Sequence, residues 1–270
     1  MKTKPLTFLL SLTFLFLFSG SPVVFGDDYQ DGFNAAHRGD FKTAYSLLLP
    51  LAEQGHVSAQ FNLGFMYAYG GGVLQDYKEA VKWFRLSAEQ GHARAQDHLG
   101  QMYFNGIGVP QDYKEGVKWF RLSAKQGYAQ AQNYLALMYG RGQGVPQDYK
   151  EGVKWFRLSA EQGNASAQFN LGFMYASGKG VPKDYKEALR FLRLSAKQGY
   201  AKAQNYLSFM YYKGLGLPKD YVLAHMWLNL AISNGIEGKV KNRDGLEKKM
   251  SPQQIEKAQE MARNWKPTKK

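Results

Sequence analysis

The order of apolar and polar residues along the chain predicts pairs of short helices. Between residues 93 and 105 the repeated apolar and small positions Ala95, Leu99 and Met102 are spaced four and three residues apart. This spacing places them on one face of a helix. Gly106 follows, and glycine readily adopts the left-handed conformation that ends helices. The pattern predicts a first helix over 93–105.

A second helix is predicted to follow after a glycine-rich connector, over 113–126. Asp112 is a good N-cap, and Glu115 three residues later completes an acidic form of the capping box. The helix has one apolar face, which we expect to be buried: Val117, Trp119, Phe120 and Ala124. A helix of this length does not bury such a face alone, so neighbouring helical pairs must stack.

The same pair of helices recurs with a period of 36 residues. The clearest marker is a glycine in every unit: Gly55, Gly91, Gly127, Gly163, Gly199 and Gly235. Ala-Gln, Met-Tyr and Asp-Tyr pairs recur with the same period, so several independent sequence markers support the repeat. We predict an all-α fold, an α-solenoid superhelix of stacked helical hairpins. The five units are 56–91, 92–127, 128–163, 164–199 and 200–235.

Both ends of the repeat array differ from its middle. The segment 27–55 aligns loosely with a unit, because Asp40-Phe-Lys-Thr-Ala corresponds to Asp76-Tyr-Lys-Glu-Ala, and we expect it to be a capping hairpin. The segment 236–270 is charged and predicts C-terminal capping helices with a basic tail, the first of them over 236–250. Its last helix has Ser251 as N-cap with Gln254 as capping-box partner. It carries one apolar stripe, formed by Ile255, Ala258, Met261, Ala262 and Trp265.

The first 26 residues are typical of a signal peptide. Lys2 and Lys4 precede an apolar run at 5–18, and small residues Val24 and Gly26 provide a cleavage site. The run is shorter than the roughly 20 residues that a membrane-spanning helix needs, which favours a cleaved signal peptide. An uncleaved membrane anchor is the alternative. We therefore expect an exported protein, periplasmic or secreted, without stable membrane insertion after cleavage.

Charge and composition narrow the choice of partners. The net charge is +13, and it is +11 after the first 26 residues, which suits an acidic partner. Export makes nucleic acid an unsuitable natural partner, so none is expected. The chain has no cysteine, which excludes disulfides, a Cys-anchored lipoprotein and Cys-ligated metals. We expect no cofactor, no metal and a monomer.

The repeat resembles the Sel1-like repeat, a relative of the tetratricopeptide repeat with a longer glycine-rich connector. It reads Ala-x-Ala-Gln-x-x-Leu-Gly-x-Met-Tyr, then Gly-x-Gly-Val, Asp-Tyr and Trp-Phe, and ends in Ala-x-Gln-Gly. The resemblance covers about 56–235 closely and 28–55 loosely. It implies an adaptor fold that binds proteins in bacterial envelope, signalling or host-interaction settings.

Residues that appear at a given repeat position in only one unit are the candidates for catalysis or metal binding, because packing residues are needed in every unit. Asp97 and His98 are such residues, but adjacent positions on a helix point about 100° apart. We expect both to be surface residues, and no catalytic site is predicted. The alternative is a hydrolase of the β-lactamase-like kind associated with cysteine-rich relatives. The absence of cysteine and of Ser-x-x-Lys disfavours it.

The sequence also predicts a partner-binding face. In related hairpin repeats the first helix of each unit lines the concave surface, and here positions 61 and 65 vary between units. Phenylalanines at these positions are candidate exposed anchors, with half-burial by the superhelix as the alternative. Cations on the same face would favour a protein or peptide partner with apolar and acidic residues. The candidate residues are Phe61, Phe65, Arg94, Arg141, Phe169, Phe173, Lys202, Phe209 and Lys213.

Overall fold

The computed structural model describes residues 25–268 and consists, over that range, of helices and connectors without strands. The predicted signal peptide falls almost wholly on residues 1–24, outside the described residues. The helices are α1 Phe25–His37, α2 Phe41–Glu53, α3 Val57–Tyr69, α4 Tyr77–Glu89, α5 Ala93–Asn105, α6 Tyr113–Lys125, α7 Ala129–Arg141, α8 Tyr149–Glu161, α9 Ala165–Ser177, α10 Tyr185–Lys197, α11 Ala201–Lys213, α12 Tyr221–Ser233, α13 Val240–Glu247 and α14 Pro252–Asn264.

The first helix of each unit, here called helix A (α3, α5, α7, α9 and α11), follows the predicted pattern. In α5 the predicted bounds are confirmed, and Ala95, Leu99 and Met102 are buried. His92 caps the N-terminus, because its Nδ1 accepts a hydrogen bond from the Ala95 amide at 3.2 Å. Gly106 ends the helix with a φ of 69°. The stripe and the two end signals therefore fix this helix.

The second helix of each unit, helix B (α4, α6, α8, α10 and α12), begins at an aspartate. Asp112 Oδ1 accepts from the amides of Lys114 at 2.8 Å and Glu115 at 3.1 Å. The prediction of a complete capping box is wrong for its second half. The Asp112 amide already donates to the Tyr103 carbonyl oxygen at 3.0 Å, so it has no hydrogen left for Glu115. The Glu115 carboxylate instead pairs with Lys118 at 3.4 Å.

Side-chain amides and a serine hydroxyl form hydrogen bonds that recur within and between units. Gln96 Nε2 donates to the Ala88 carbonyl at 3.0 Å, and Gln126 Nε2 donates to Gln96 Oε1 at 2.7 Å. Ser123 Oγ donates to the Ala93 carbonyl at 2.7 Å. Gln96 and Ser123 are buried next to the apolar core, where an unpaired polar group would be costly. The Gln96 bond to Ala88 helps to fix the register of this unit on the preceding one, and the other two bonds join the two helices of one unit.

The C-terminal segment closes the array with two unequal helices. The capping box of Ser251 and Gln254 is confirmed, and α14 packs against α12. Ala258 is buried, and the other residues of the predicted stripe are half-buried. The helix before it is shorter than the predicted 236–250 and spans only α13, Val240–Glu247. Between residues 25 and 268 no helix is both long and apolar enough to cross a bilayer.

Candidate partner-binding face

The predicted phenylalanines of the helix A face differ widely in exposure. Phe173 and Phe209 are the most exposed, with 38% and 44% of their surface accessible. Phe65 and Phe169 are half-buried. The prediction that Phe61 is an exposed anchor is wrong, because only 5% of its surface is accessible. It packs against Phe84 of the following helix B and belongs to the core.

Four aromatic residues of α9 and α11 form a continuous strip, here called the aromatic lane: Phe169, Phe173, Tyr206 and Phe209. The ring of Tyr206 lies 6.4 Å from Phe169, 5.8 Å from Phe173 and 5.9 Å from Phe209, measured between centroids. Tyr206 is half-buried, so it supports the rings on either side of it. The lane brings together three of the predicted anchors and adds Tyr206, which the sequence analysis did not single out.

A second aromatic cluster at the other end of the array is more deeply packed. Phe61 lies 4.9 Å from Phe65 and 4.5 Å from His92, and the Arg94 guanidinium lies 4.9 Å from the Phe61 ring. His98 lies between Phe65 and Phe84, and burial lowers the pKa of its imidazole to about 4, with smaller contributions from Arg94 and His92. This imidazole is therefore neutral near pH 7.

The four predicted cations are exposed. Arg94, Arg141, Lys202 and Lys213 each lie on a helix A, and none of them forms a salt bridge within residues 25–268. Lys213 Nζ lies 5.3 Å from the centre of the Tyr212 ring, within reach of a cation–π contact. These cations are therefore available to an anionic partner.

Asp97 is buried, so the prediction that it is a surface residue is wrong. Only 1% of its surface is accessible. Its Oδ2 accepts a hydrogen bond from Gln101 Nε2 at 2.7 Å, but its Oδ1 has no partner. Burial raises the pKa of this carboxyl to about 7, partly offset by the Gln101 hydrogen bond. A carboxyl in this setting costs stability when it ionises.

A pairing between successive units explains the burial of Phe61. Position 61 of one helix A faces a residue 37 positions later, on the next helix A. Phe61 thus meets His98 at 5.9 Å between ring centres, and Asn133 Oδ1 accepts from Asn170 Nδ2 at 3.3 Å. The residue at this position varies between units because its partner on the next helix A varies, and not because the position is exposed to solvent. Comparing positions 37 apart, instead of 36, could have revealed it.

Metal binding has no evident place on this face. Among the described residues no group of three or more His, Cys, Asp or Glu side chains is arranged to hold a metal ion.

The comparisons with known proteins define the class. The Sel1 repeat profile matches residues 57–92, 93–128, 129–164, 165–200 and 201–236. The chain belongs to the Sel1 repeat family. Proteins of this family are generally protein-interaction scaffolds, and their solenoid is typically non-catalytic.

Among solved structures, the chain is similar to a Sel1 repeat protein from Oxalobacter formigenes. The two share 30% sequence identity with a TM-score of 0.78, over 90% of this chain and 99% of that one. It also matches c5321, a protective antigen of uropathogenic Escherichia coli strains, at 30% identity and a TM-score of 0.44, over 88% of this chain and 68% of that one. The comparison with curated proteins finds no match.

Proposed function

We propose that this chain is a non-catalytic scaffold that acts outside the cytoplasm, in the periplasm or as a secreted protein. It binds a segment of a partner protein on the concave helix A face. The observation that carries the proposal is the aromatic lane, in which Phe173 and Phe209 keep 38% and 44% of their surface accessible on a rigid helical support. Exposed aromatic residues on well-packed elements are typical of interface anchors.

The charges of the same face indicate the chemistry of the partner. Arg94, Arg141, Lys202 and Lys213 are exposed, while Asp97 is buried and contributes little surface charge. Phe65 and Phe169 add half-buried apolar surface beside the anchors. A protein or peptide segment with apolar and acidic residues fits this surface, because burial would supply affinity and charge would speed encounter.

The test is photocrosslinking in the native compartment. A benzophenone amino acid at Phe209 should capture a defined partner, and the same probe at Leu122 on helix B should not. The double variant Phe173→Ala/Phe209→Ala should lose the partner while its helical circular dichroism stays unchanged. The matched control is Leu122→Ala/Leu158→Ala, which removes two side chains of similar exposure, 41% and 45%, from helix B. Equal loss in both doubles, or none in either, would contradict the proposal.

Export is tested separately, by N-terminal sequencing of protein from the expressing host. Lys2, Lys4 and the apolar run at 5–18 support a cleaved signal peptide, with Asp27 as the first residue of the mature chain. Membrane-bound protein that begins at Met1 would support the anchor alternative instead.

A further inference from the structure

A cavity of about 330 Å³ lies where the aromatic lane ends, between α11, α12 and α13. One wall is Phe209, so the lane leads directly into the cavity. On the far side stands α13, which contributes Asn242 and Leu246. A peptide laid along the lane from α9 towards α11 therefore meets α13 and has to end there or turn away.

Two amides line this cavity without partners. Asn205 and Asn242 are 37 residues apart, the spacing at which successive helices A pair. In the equivalent pair, Asn133 and Asn170 bond to each other at 3.3 Å. In the last unit, neither side chain forms a hydrogen bond with another described residue, and both face the cavity. At the junction with the short α13, the hydrogen bond that joins the equivalent pair Asn133 and Asn170 is therefore missing.

A hydroxyl on the cavity lining completes the set of donors. Ser208 stands where the other units have Gly64, Gly100, Ala136 and Gly172. It is the only one of the five that carries a hydroxyl, and only 5% of its surface is accessible. Its hydroxyl lines the cavity and has no hydrogen-bond partner among the described residues. The hydroxyl oxygen keeps access to the cavity, so it can form a hydrogen bond with a ligand atom there.

The charge at the cavity is positive. Lys213 lies on its lining, and no acidic residue does. Lys249 Nζ donates to the Tyr212 hydroxyl at the rim at 2.7 Å, and this hydrogen bond, together with the Lys249 and Lys213 charges, lowers the pKa of the Tyr212 phenol. An ammonium group beside two free amides and a hydroxyl is a suitable set of donors for a carboxylate.

We propose that this cavity binds the C-terminal carboxylate of the partner segment, with an apolar last side chain against Phe209, Leu228 and Leu246. This proposal rests on the proposed function, because it assigns the end of the same groove. Lys213 supplies the charge. Asn205, Ser208 and Asn242 donate hydrogen bonds to the two carboxylate oxygens and the last peptide group.

The experiment uses the mature protein, with N-acetyl-leucine as the probe and N-acetyl-leucinamide as its uncharged match. In ¹⁵N-labelled protein the side-chain amide signals of Asn205 and Asn242 should shift saturably with the acid and little with the amide. Lys213→Ala should weaken binding of the acid by about tenfold or more, because it removes a charge-assisted contact. Lys186→Ala, an exposed lysine on helix B, is the control and should change nothing.

Ser208→Ala tests the hydroxyl without endangering the fold, since Ala136 occupies the same position in another unit. The substitution should weaken binding of N-acetyl-leucine and leave the melting temperature close to that of the parent protein. Equal shifts with acid and amide, no shift with either, or full binding by Lys213→Ala would overturn the proposal. Phe173 lies outside the cavity, so Phe173→Ala should retain N-acetyl-leucine while losing the partner. These measurements therefore distinguish an error in the proposed partner-binding face from an error in the proposed carboxylate cavity.

Discussion

The imidazole Nε2 of His225 lies 2.7 Å from Oε1 of Glu247, and this contact holds α13 against α12. The amide Nδ2 of Asn229 lies 3.1 Å from Nδ1 of the same ring. Because an amide nitrogen only donates, Nδ1 accepts and the ring proton sits on Nε2, from which it is donated to Glu247. The contact positions the helix that closes the proposed carboxylate cavity.

The first prediction concerns this contact. In Glu247→Ala the buried imidazole of His225 loses its acceptor, which should cost about 1–3 kcal/mol locally. Amide exchange should accelerate in Val240–Glu247 while α5 and α6 stay protected, because each unit depends mainly on its neighbours. Glu256→Ala, an exposed glutamate of α14, is the control. Unchanged exchange in α13 would show that the contact does not hold the helix.

The second prediction concerns pH. The pKa of Asp97 is about 7 in the folded state, above its usual 3.8, so the folded state binds this proton more tightly than the unfolded state. The contribution of Asp97 to the free energy of unfolding should then be most favourable below about pH 4. It should fall as the pH rises from about 4 to about 7, by at most about 4 kcal/mol.

Asp97→Asn removes this titration and copies the residue at Asn133. Above about pH 7 it should raise the free energy of unfolding by about 1–3 kcal/mol, and the gain should shrink as the pH approaches 4. Urea unfolding at several pH values measures it, with Glu237→Gln as an exposed control. A variant that is less stable than the parent at high pH would show that the carboxylate is stabilised by contacts beyond Gln101.

The sequence allowed most of the fold to be predicted, because its signals are local and repeated. The bounds of α5 follow from the apolar stripe and Gly106, and five copies reduce the ambiguity that one copy would leave. The errors lie at contacts between helices. Phe61 meets His98 across the junction between two units. The Asp112 amide donates to the carbonyl oxygen of Tyr103 on the preceding helix of the same unit. Spacing within one helix carries no information about such partners.

The candidate site was less predictable for the same reason. The anchors of the aromatic lane could be named, but their unequal exposure depends on Tyr206, which packs from the next helix. The cavity beside Phe209 depends on where α13 ends, and the charged sequence at 236–250 gave no sharp boundary. The cavity is therefore a product of packing that the local pattern does not encode.

The third prediction concerns the core. Trp119 has 5% of its surface accessible and belongs to the buried core cluster that includes Phe84 of α4 and Leu99 of α5. Trp119→Ala should cost about 3–5 kcal/mol in urea unfolding. Its Nε1 has no hydrogen-bond partner, so Trp119→Phe loses only packing and should cost clearly less. Leu122→Ala on the exposed side of the same helix is the control. A cost for Leu122→Ala that matches Trp119→Ala would contradict the assigned core.

The last prediction concerns the connectors that set the stacking of the units. Gly108 and Gly127 both have positive φ, of 70° and 88°, so alanine strains either backbone by about 1–2 kcal/mol. They differ in what surrounds them. A Cβ at Gly108 would lie 2.3 Å from the carbonyl oxygen of Tyr77, whereas a Cβ at Gly127 meets nothing within 4 Å.

The two substitutions therefore separate backbone strain from the close approach of two units. Gly127→Ala should lower the free energy of unfolding by the strain alone. Gly108→Ala must also displace the backbone at the start of α4, which should add about 1–3 kcal/mol. The extra loss should appear as faster amide exchange at the junction of the connector with α4, while α11 and α12 stay protected. Equal losses for the two variants would mean that the connector moves freely and does not fix the stacking.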